Sequence, residues 1–259
     1  MTTTHTSAAA QAAPNLDNSI FTYREAANQN ELEQLLRLRY ACFTQGEWAN
    51  YSLIQRNPYK MDIDAFDLKA IHIGVFAKQN GKEIPVGYAR FVGESATKHS
   101  FWVKNILTKC PQLYLKKIYS GFPFIEKLGQ REKCMFDDFL LKNKTYQTIE
   151  VSRVCVTAGF PSASLCQLLV MGNTVYSAGL NANMNVIFII KDKMERVLAR
   201  NGAKAIEGLT TKVFDMTFNA FYINQAMIPP IKQDQIKKMG QLFSKNNCIR
   251  FDKKEEKFF

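Results

Sequence analysis

The sequence predicts an α/β fold in which a mixed central sheet is flanked by helices. Three observations lead there. Segments with strand periodicity alternate with segments of helical periodicity along most of the 259 residues. The turn Gln79-Asn80-Gly81-Lys82 joins two early apolar segments as a hairpin, which makes the front of the sheet antiparallel. Later strands are separated by helices, which requires a parallel crossover behind that front. The length suits one large domain, or one domain with a sizeable insertion, and 46% hydrophobic content supports a real core.

The elements follow in order. Residues 1–19 are Thr/Ala-rich, lack a basic start followed by an apolar stretch, and read as a disordered or processed leader. The domain proper runs over 20–247. Residues 20–24 read as a short strand, and Asn28 to Asn30 can cap the helix that follows. In that helix Leu32, Leu35, Leu36, Arg39 and Phe43 share one face. Residues 44–61 are polar and turn-rich, with Trp48 and Tyr51 embedded, and read as a structured loop. Ala70 to Ala77 and Pro85 to Val92 are the hairpin strands. Alternation sets Gly87, Ala89 and Phe91 on one face and Tyr88, Arg90 and Val92 on the other.

Residues 94–146 read as a basic insertion of short amphipathic helices, broken at Pro111 and Pro123. It is either a solvated cap over the core or a lid and docking face. Thr148 to Val156 is a strongly apolar strand. A helix capped at Ser162 or Ser164 follows and stops at Gly179. A buried strand at Asn185 to Ile190, a helix from Asp192 to Asn201 and a strand near Ala205 to Leu209 complete the crossovers. Residues 212–228 are aromatic and carry no clear period. A basic amphipathic helix covers about 233–244, and the tail over 248–259 reads as loose.

A net charge of +11 favours an acidic partner, a peripheral contact with an anionic membrane, or simple solubility. No nucleic-acid module signature and no dense Lys/Arg tract is present, which argues against nucleic acid as the partner. No apolar run reaches the roughly 18–20 residues of a membrane helix. Six cysteines, at 42, 110, 134, 155, 166 and 248, form no CxxC and no zinc-spaced cluster with histidine. A reduced, cytoplasmic protein without a bound metal or cofactor is the expectation.

Charge sits where the hydrophobic pattern excludes it. Arg39 lies on an apolar helix stripe, Arg90 inside a strand, and Glu150 and Arg153 inside Ile149-Glu-Val-Ser-Arg-Val154. An acidic knot, Asp62-Ile-Asp64-Ala-Phe-Asp67, stands between the first two arginines. Buried charge is costly unless paired, so these residues imply a polar site in mid-fold.

The order of elements and these motifs resemble the N-acyltransferase branch of the acetyltransferase-like (GNAT-like) fold. Its relevant members are the acyl-homoserine-lactone synthases and the long-chain N-acyl amino acid synthases. Arg39-Tyr-Ala-Cys-Phe43 resembles the family's Arg-x-x-x-Phe helix, and Trp48 falls where a loop Trp is expected. Asp64-Ala-Phe-Asp67 resembles its Asp-x-Tyr-Asp motif, Gly87-Tyr-Ala-Arg90 its Gly-x-x-Arg strand, and Glu150-Val-Ser-Arg153 its Glu-x-Ser-Arg strand. Asp192 to Gly202 resembles the fold's last helix and its glycine. His72 after the acidic knot, and Phe122-Pro-Phe-Ile-Glu126 before the Glu-x-Ser-Arg strand, lean toward the amino acid synthases.

The resemblance implies an N-acyltransferase that moves a fatty acyl chain from acyl carrier protein to the amine of an amino acid. An autoinducer synthase using S-adenosylmethionine is the alternative, and a non-catalytic acyl or lipid sensor is the second. The segment Thr157-Ala-Gly-Phe-Pro-Ser162 lacks the Gly-rich loop that cradles the coenzyme A pyrophosphate in acetyltransferases. Acyl carrier protein is acidic, which gives the +11 charge a specific reading. Acyl transfer to an amine needs a base, donors for the developing oxyanion, and a dry channel. Glu150 is the candidate base, directly or through water, with Arg153 beside it as the second catalytic candidate.

Strict alternation puts Glu150 and Arg153 on opposite faces, so both serve one site only if the strand carries a bulge. Asp64 and Asp67 either lock Arg39 or Arg90 in an ion network or grip the acceptor's ammonium. Arg39 or Arg90 either pairs structurally or binds the acceptor carboxylate by a two-pronged contact. Phe43 and Trp48 are core residues or a substrate platform, and His72 reads as a satisfied core histidine.

Overall fold

The computed structural model describes residues 20–45, 56–93, 97–113, 121–158, 162–179, 184–190, 194–213, 215–253 and 257–259. The leader over 1–19 and Trp48 lie outside them. The chain opens with β1 (Ile20–Glu25) and α1 (Gln29–Thr44). A hairpin follows, β2 (Ala70–Gln79) and β3 (Lys82–Val92), and then the insertion helices α2 (His99–Lys109) and α3 (Gln130–Lys142). The second half runs β4 (Thr148–Val156), α4 (Ser162–Gly179), β5 (Met184–Ile190), α5 (Glu195–Arg200), β6 (Lys204–Val213) and β7 (Met216–Asn224). It ends with α6 (Pro230–Asn246), β8 (Ile249–Asp252) and β9 (Lys257–Phe258).

All the strands form one sheet in the order β6-β7-β5-β4-β3-β2-β1-β8-β9. Among the described pairings β4–β5 is the parallel one, with α4 as its crossover, and the rest are antiparallel. The predicted mixed sheet with an antiparallel front is therefore the observed one. The hairpin turn places Asn80 at φ 49° and Gly81 at φ 77°, the two left-handed positions that an Asn-Gly turn supplies. Asn28 caps α1 by accepting from the Glu31 amide.

Each face of the sheet is covered differently. On the back, α4 and α6 bury Leu165, Leu168, Leu169 and Met239 against Ile73, Ala89, Phe91, Val151 and Ile187. On the front, α1 and α2 pack Leu32, Leu35, Leu36, Val103 and Ile106 onto Phe76 and Tyr88. Farther along that front, α3 packs Phe136 against Met184, Val186, Ile206 and Ala220. Two separate apolar clusters thus flank a strip of β3 and β4 on the front face. The insertion is accordingly part of the packed front: α2 closes one cluster and α3 the other.

Three expectations are corrected. The tail over 248–259 is not loose at its start, because β8 pairs with β1 and buries Ile249. The physical reason is that β1 would otherwise offer a bare strand edge. The unassigned aromatic stretch is mostly β7, whose Phe218, Phe221 and Tyr222 pack on different neighbours and so blur the period. The helix expected from Asp192 begins at Glu195, and Asp192 lies outside the described residues. No helix among the described residues is long and apolar enough to cross a membrane.

Candidate functional site

The site grows from the strip between the two front clusters. α1 aims Arg39 inward because it shares the stripe of Leu32, Leu35 and Leu36, and Arg39 is fully buried. Its guanidinium meets Asp67 twice, Nη1 to Oδ1 at 2.9 Å and Nη2 to Oδ2 at 2.7 Å. Nη1 also donates to the Tyr88 hydroxyl at 2.9 Å, and Nη2 to the Asp62 carbonyl at 2.5 Å. Nε lies 2.7 Å from Asp62 Oδ2, an ionic contact outside hydrogen-bond alignment. Both terminal nitrogens of Arg39 are thus filled by protein acceptors and Nε sits against Asp62, which leaves no two-pronged edge for a ligand carboxylate.

Asp67 joins this arginine to the next. Its Oδ1 lies 2.9 Å from Arg90 Nη1, and Asp64 Oδ1 lies 2.6 Å from the same nitrogen. Arg90 Nε donates to Ser152 Oγ at 3.1 Å. A 3-10 turn, Ala65–Lys69, fixes both carboxylates: Asp64 accepts from the Phe66 amide while Asp67 accepts from the Asp64 amide. Burial alone would raise the Asp67 carboxyl, but Arg39 and Arg90 hold it well below the usual carboxylate range. Burial likewise opposes the charge on Arg39, and Asp62 and Asp67 more than restore it.

His72 is also buried, with Nδ1 2.9 Å from the Tyr88 hydroxyl. Burial pushes its pKa down to about 3, so it is a neutral core histidine as expected, but not a fully satisfied one, since its buried Nε2 has no hydrogen-bond partner among the described residues. His99 anchors α2 to the sheet by accepting from the His72 amide at 2.9 Å, a role that no feature of the sequence signals. Tyr88, by contrast, was readable, since alternation places it beside Arg90 on the same face.

β4 supplies the other half. Its register with β3 runs Tyr88↔Cys155 and then Arg90↔Ser152, so Ala89 faces two residues, Arg153 and Val154. This is a β-bulge, and Arg153 adopts φ 55° within it. The bulge resolves the conflict of alternation. Glu150, Ser152, Arg153 and Cys155 all serve the front face, while Val154 packs into the back core. Arg153 reaches Asp64 Oδ2 at 3.5 Å and Asp62 Oδ2 at 3.8 Å, lies over the Phe43 ring at 5.4 Å, and keeps 23% of its side chain exposed. Phe43 is thus a half-buried platform under Arg153 rather than part of the apolar stripe.

Glu150 stands apart from the arginine network. It is 2% exposed, and its Oε2 accepts from the Phe124 amide at 3.1 Å. Burial raises its pKa from 4.5 to about 8, and the Phe124 amide and Arg90 only partly oppose that. The parallel pairing of β4 with β5 ends at Val151↔Ile187, one residue beyond Glu150, although both strands continue. The strands splay there, next to a carboxyl poised between its two protonation states near neutral pH.

No protein-family model matches the sequence, and no curated protein matches it. Solved structures do match its fold. A CoA-dependent acyl-homoserine lactone synthase, BjaI, solved with SAM and isopentyl-CoA, aligns with a TM-score of 0.50 at 15% identity, over 83% of this chain and 86% of that one. FeeM, an N-acyl amino acid synthase from uncultured soil microbes, aligns with a TM-score of 0.50 at 13% identity, over 82% of this chain and 97% of that one. Such identities carry the fold and nothing finer. The chain has the acetyltransferase-like α/β fold of these acyl-transferring synthases.

Proposed function

We propose that this protein is an N-acyltransferase that moves a fatty acyl chain from a thioester donor to the amine of an amino acid. The observation that carries the reading is Glu150. A single buried carboxyl, raised to about 8, stands at the splay of β4 and β5 with three arginines already balanced by three aspartates nearby. A base of that strength is matched to an amine near neutral pH. In its ionised form Glu150 takes a proton from the incoming ammonium, directly or through one water. The freed amine attacks the thioester carbonyl, and the developing oxyanion meets backbone N–H groups of β4 beyond Val151, which pair with no residue of β5. Collapse expels the donor's thiolate, which takes up the proton held on Glu150, and the second proton that the nitrogen sheds as the amide forms passes to the ionised Glu150 and then to solvent. Arg153, the least buried of the three arginines, is the group that orients the acceptor's carboxylate.

Acyl carrier protein is the proposed donor carrier. The net charge of +11 and the lack of a Gly-rich pyrophosphate loop at 157–162 support it. A second reading, an acyl-homoserine-lactone synthase, draws on the fold shared with BjaI. Mass spectrometry of lipid extracts from cells expressing the chain, beside cells expressing Glu150→Gln, tests both. An N-acyl amino acid that disappears with the variant supports the proposal. An acyl-homoserine lactone with released methylthioadenosine would replace it with the second reading. Neither product from folded protein supplied with acyl carrier protein would overturn both and leave a non-catalytic sensor. Turnover with acyl carrier protein at least about tenfold above that with coenzyme A is expected, and salt should narrow the gap.

A further inference from the structure

The bulge that brings Arg153 to the front face also brings Cys155 there, beside Tyr88 in the register. Arg39 reaches over the Tyr88 ring at 5.4 Å, and Cys42 lies one turn farther along α1. Cys42 therefore comes down onto β4, with its Sγ 3.7 Å from the Val156 carbonyl. This contact and the register of Cys155 set the two thiols side by side between the last turn of α1 and β4. Both residues are half-buried. The other four cysteines lie on other elements: Cys110 after α2, Cys134 in α3, Cys166 in α4 and Cys248 before β8.

From this geometry we propose that Cys42 and Cys155 form a reversible disulfide that ties the last turn of α1 to β4. The Cys155 thiol beside it holds Cys42 below the usual thiol pKa although burial opposes it, and Cys42 in turn raises Cys155, as burial also does. Cys42 is thus the nucleophile and Cys155 the resolving thiol. The oxidant is a peroxide. The Cys42 thiolate attacks one peroxide oxygen, breaking the O–O bond and giving a sulfenic acid and water once a proton is taken up. The Cys155 sulfur then attacks the Cys42 sulfur, the S–O bond breaks, and a second water leaves. Two thiols and one hydrogen peroxide become one disulfide and two waters, and a dithiol reverses the step.

A disulfide needs the sulfurs at about 2.05 Å, closer than any hydrogen bond. Closing it draws the α1 turn that carries Phe43 toward the strand that carries Arg153. The expected consequence is a narrower mouth at Arg153 and a more heat-stable protein. This inference concerns thiol chemistry and does not depend on the acyl-transfer reading.

The test is titration of the full chain with hydrogen peroxide, followed by peptide mapping without reduction, and then again after dithiothreitol. The expected result is a Cys42–Cys155 cross-linked peptide that appears before Cys134 is modified. It should vanish on reduction, and the melting temperature should rise in the oxidised form only. In Cys155→Ser, Cys42 should instead accumulate as sulfenic acid trapped by dimedone, and the melting temperature should no longer respond to peroxide. Sulfinic acid on Cys42 of the parent protein without any cross-link would overturn the proposal. So would a cross-link that joins other cysteines first, or an unchanged mass at peroxide levels that fully modify Cys134.

Discussion

Two clusters of buried charge lie side by side on the front of the sheet, and they differ in how completely their partners satisfy them. In the Arg39–Asp67–Arg90 cluster, both terminal nitrogens of Arg39 are filled by acceptors, its Nε keeps an ionic contact with Asp62, and Asp67 has a donor or cation at both oxygens. In the Glu150–Arg153 region, Glu150 has one amide donor, and Arg153 holds its aspartates only at 3.5 Å and 3.8 Å with its head partly in solvent. Full satisfaction fixes a protonation state and removes a residue from chemistry. Partial satisfaction leaves a group free to exchange a proton or a partner. Under the proposed function, the first cluster is scaffold and the second is the reactive end that it positions.

Breaking the scaffold should have the largest effect. Asp67→Asn leaves Arg39 and Arg90 short of a shared anion while buried, so a loss of about 3–5 kcal/mol in urea denaturation is expected. A loss under about 1 kcal/mol would erase the distinction between the clusters. Glu150→Gln should behave in the opposite way. Turnover should fall by roughly 10²–10⁴-fold in a single-turnover assay, while the denaturation midpoint at pH 7 should rise, because a neutral amide escapes the cost that burial imposes on the carboxyl above pH 4.5.

The pH dependence sharpens the same contrast. With Glu150 raised to about 8, the ionised base accumulates as pH rises, so the rate should climb through about pH 8 and then level. Stability has the reverse sign. Between 4.5 and about 8 the folded form holds a proton that the unfolded form has lost, so stability falls with rising pH across that window. Glu150→Gln should flatten that slope. The histidines act at the other end. His72 at about 3 and His99 at about 4 stay neutral in the fold, so stability should be lost as pH falls from 6.5 toward those values. Thermal melts at a series of pH values measure all three.

Smaller effects probe the bulge. Arg153 adopts φ 55°, a region that a side chain enters at a cost and glycine enters freely. Arg153→Gly should therefore be more stable than Arg153→Ala by about 1 kcal/mol, while both weaken acceptor binding as a rise in KM. Ser152→Ala removes the acceptor for Arg90 Nε and should cost about 1 kcal/mol, with little change in turnover.

Much of the fold was legible because strand and helix periods are local properties. The hairpin at Asn80-Gly81 and the crossover around α4 follow from turn chemistry and spacing. The start of α5 and the stretch around β7 were misread because their neighbours in the chain do not decide their ends. Within the site, Arg39, Arg90 and Glu150 announced themselves as charge on apolar stripes. The role of His99 did not, because it depends on where α2 lands against β2.

By itself, then, the sequence determined the class of sheet, the burial of the charges and their near-balance, since these depend on pattern and composition. Only the tertiary structure decided which charges are used up and which remain available. Pairing depends on distances between elements far apart in the chain, such as Arg39 with Asp67 or Glu150 with Phe124. The decisive case is the bulge at Arg153. One extra residue opposite Ala89 moves Arg153 and Cys155 to the front face beside Glu150, and strand periodicity cannot report an insertion that exists only relative to a partner strand.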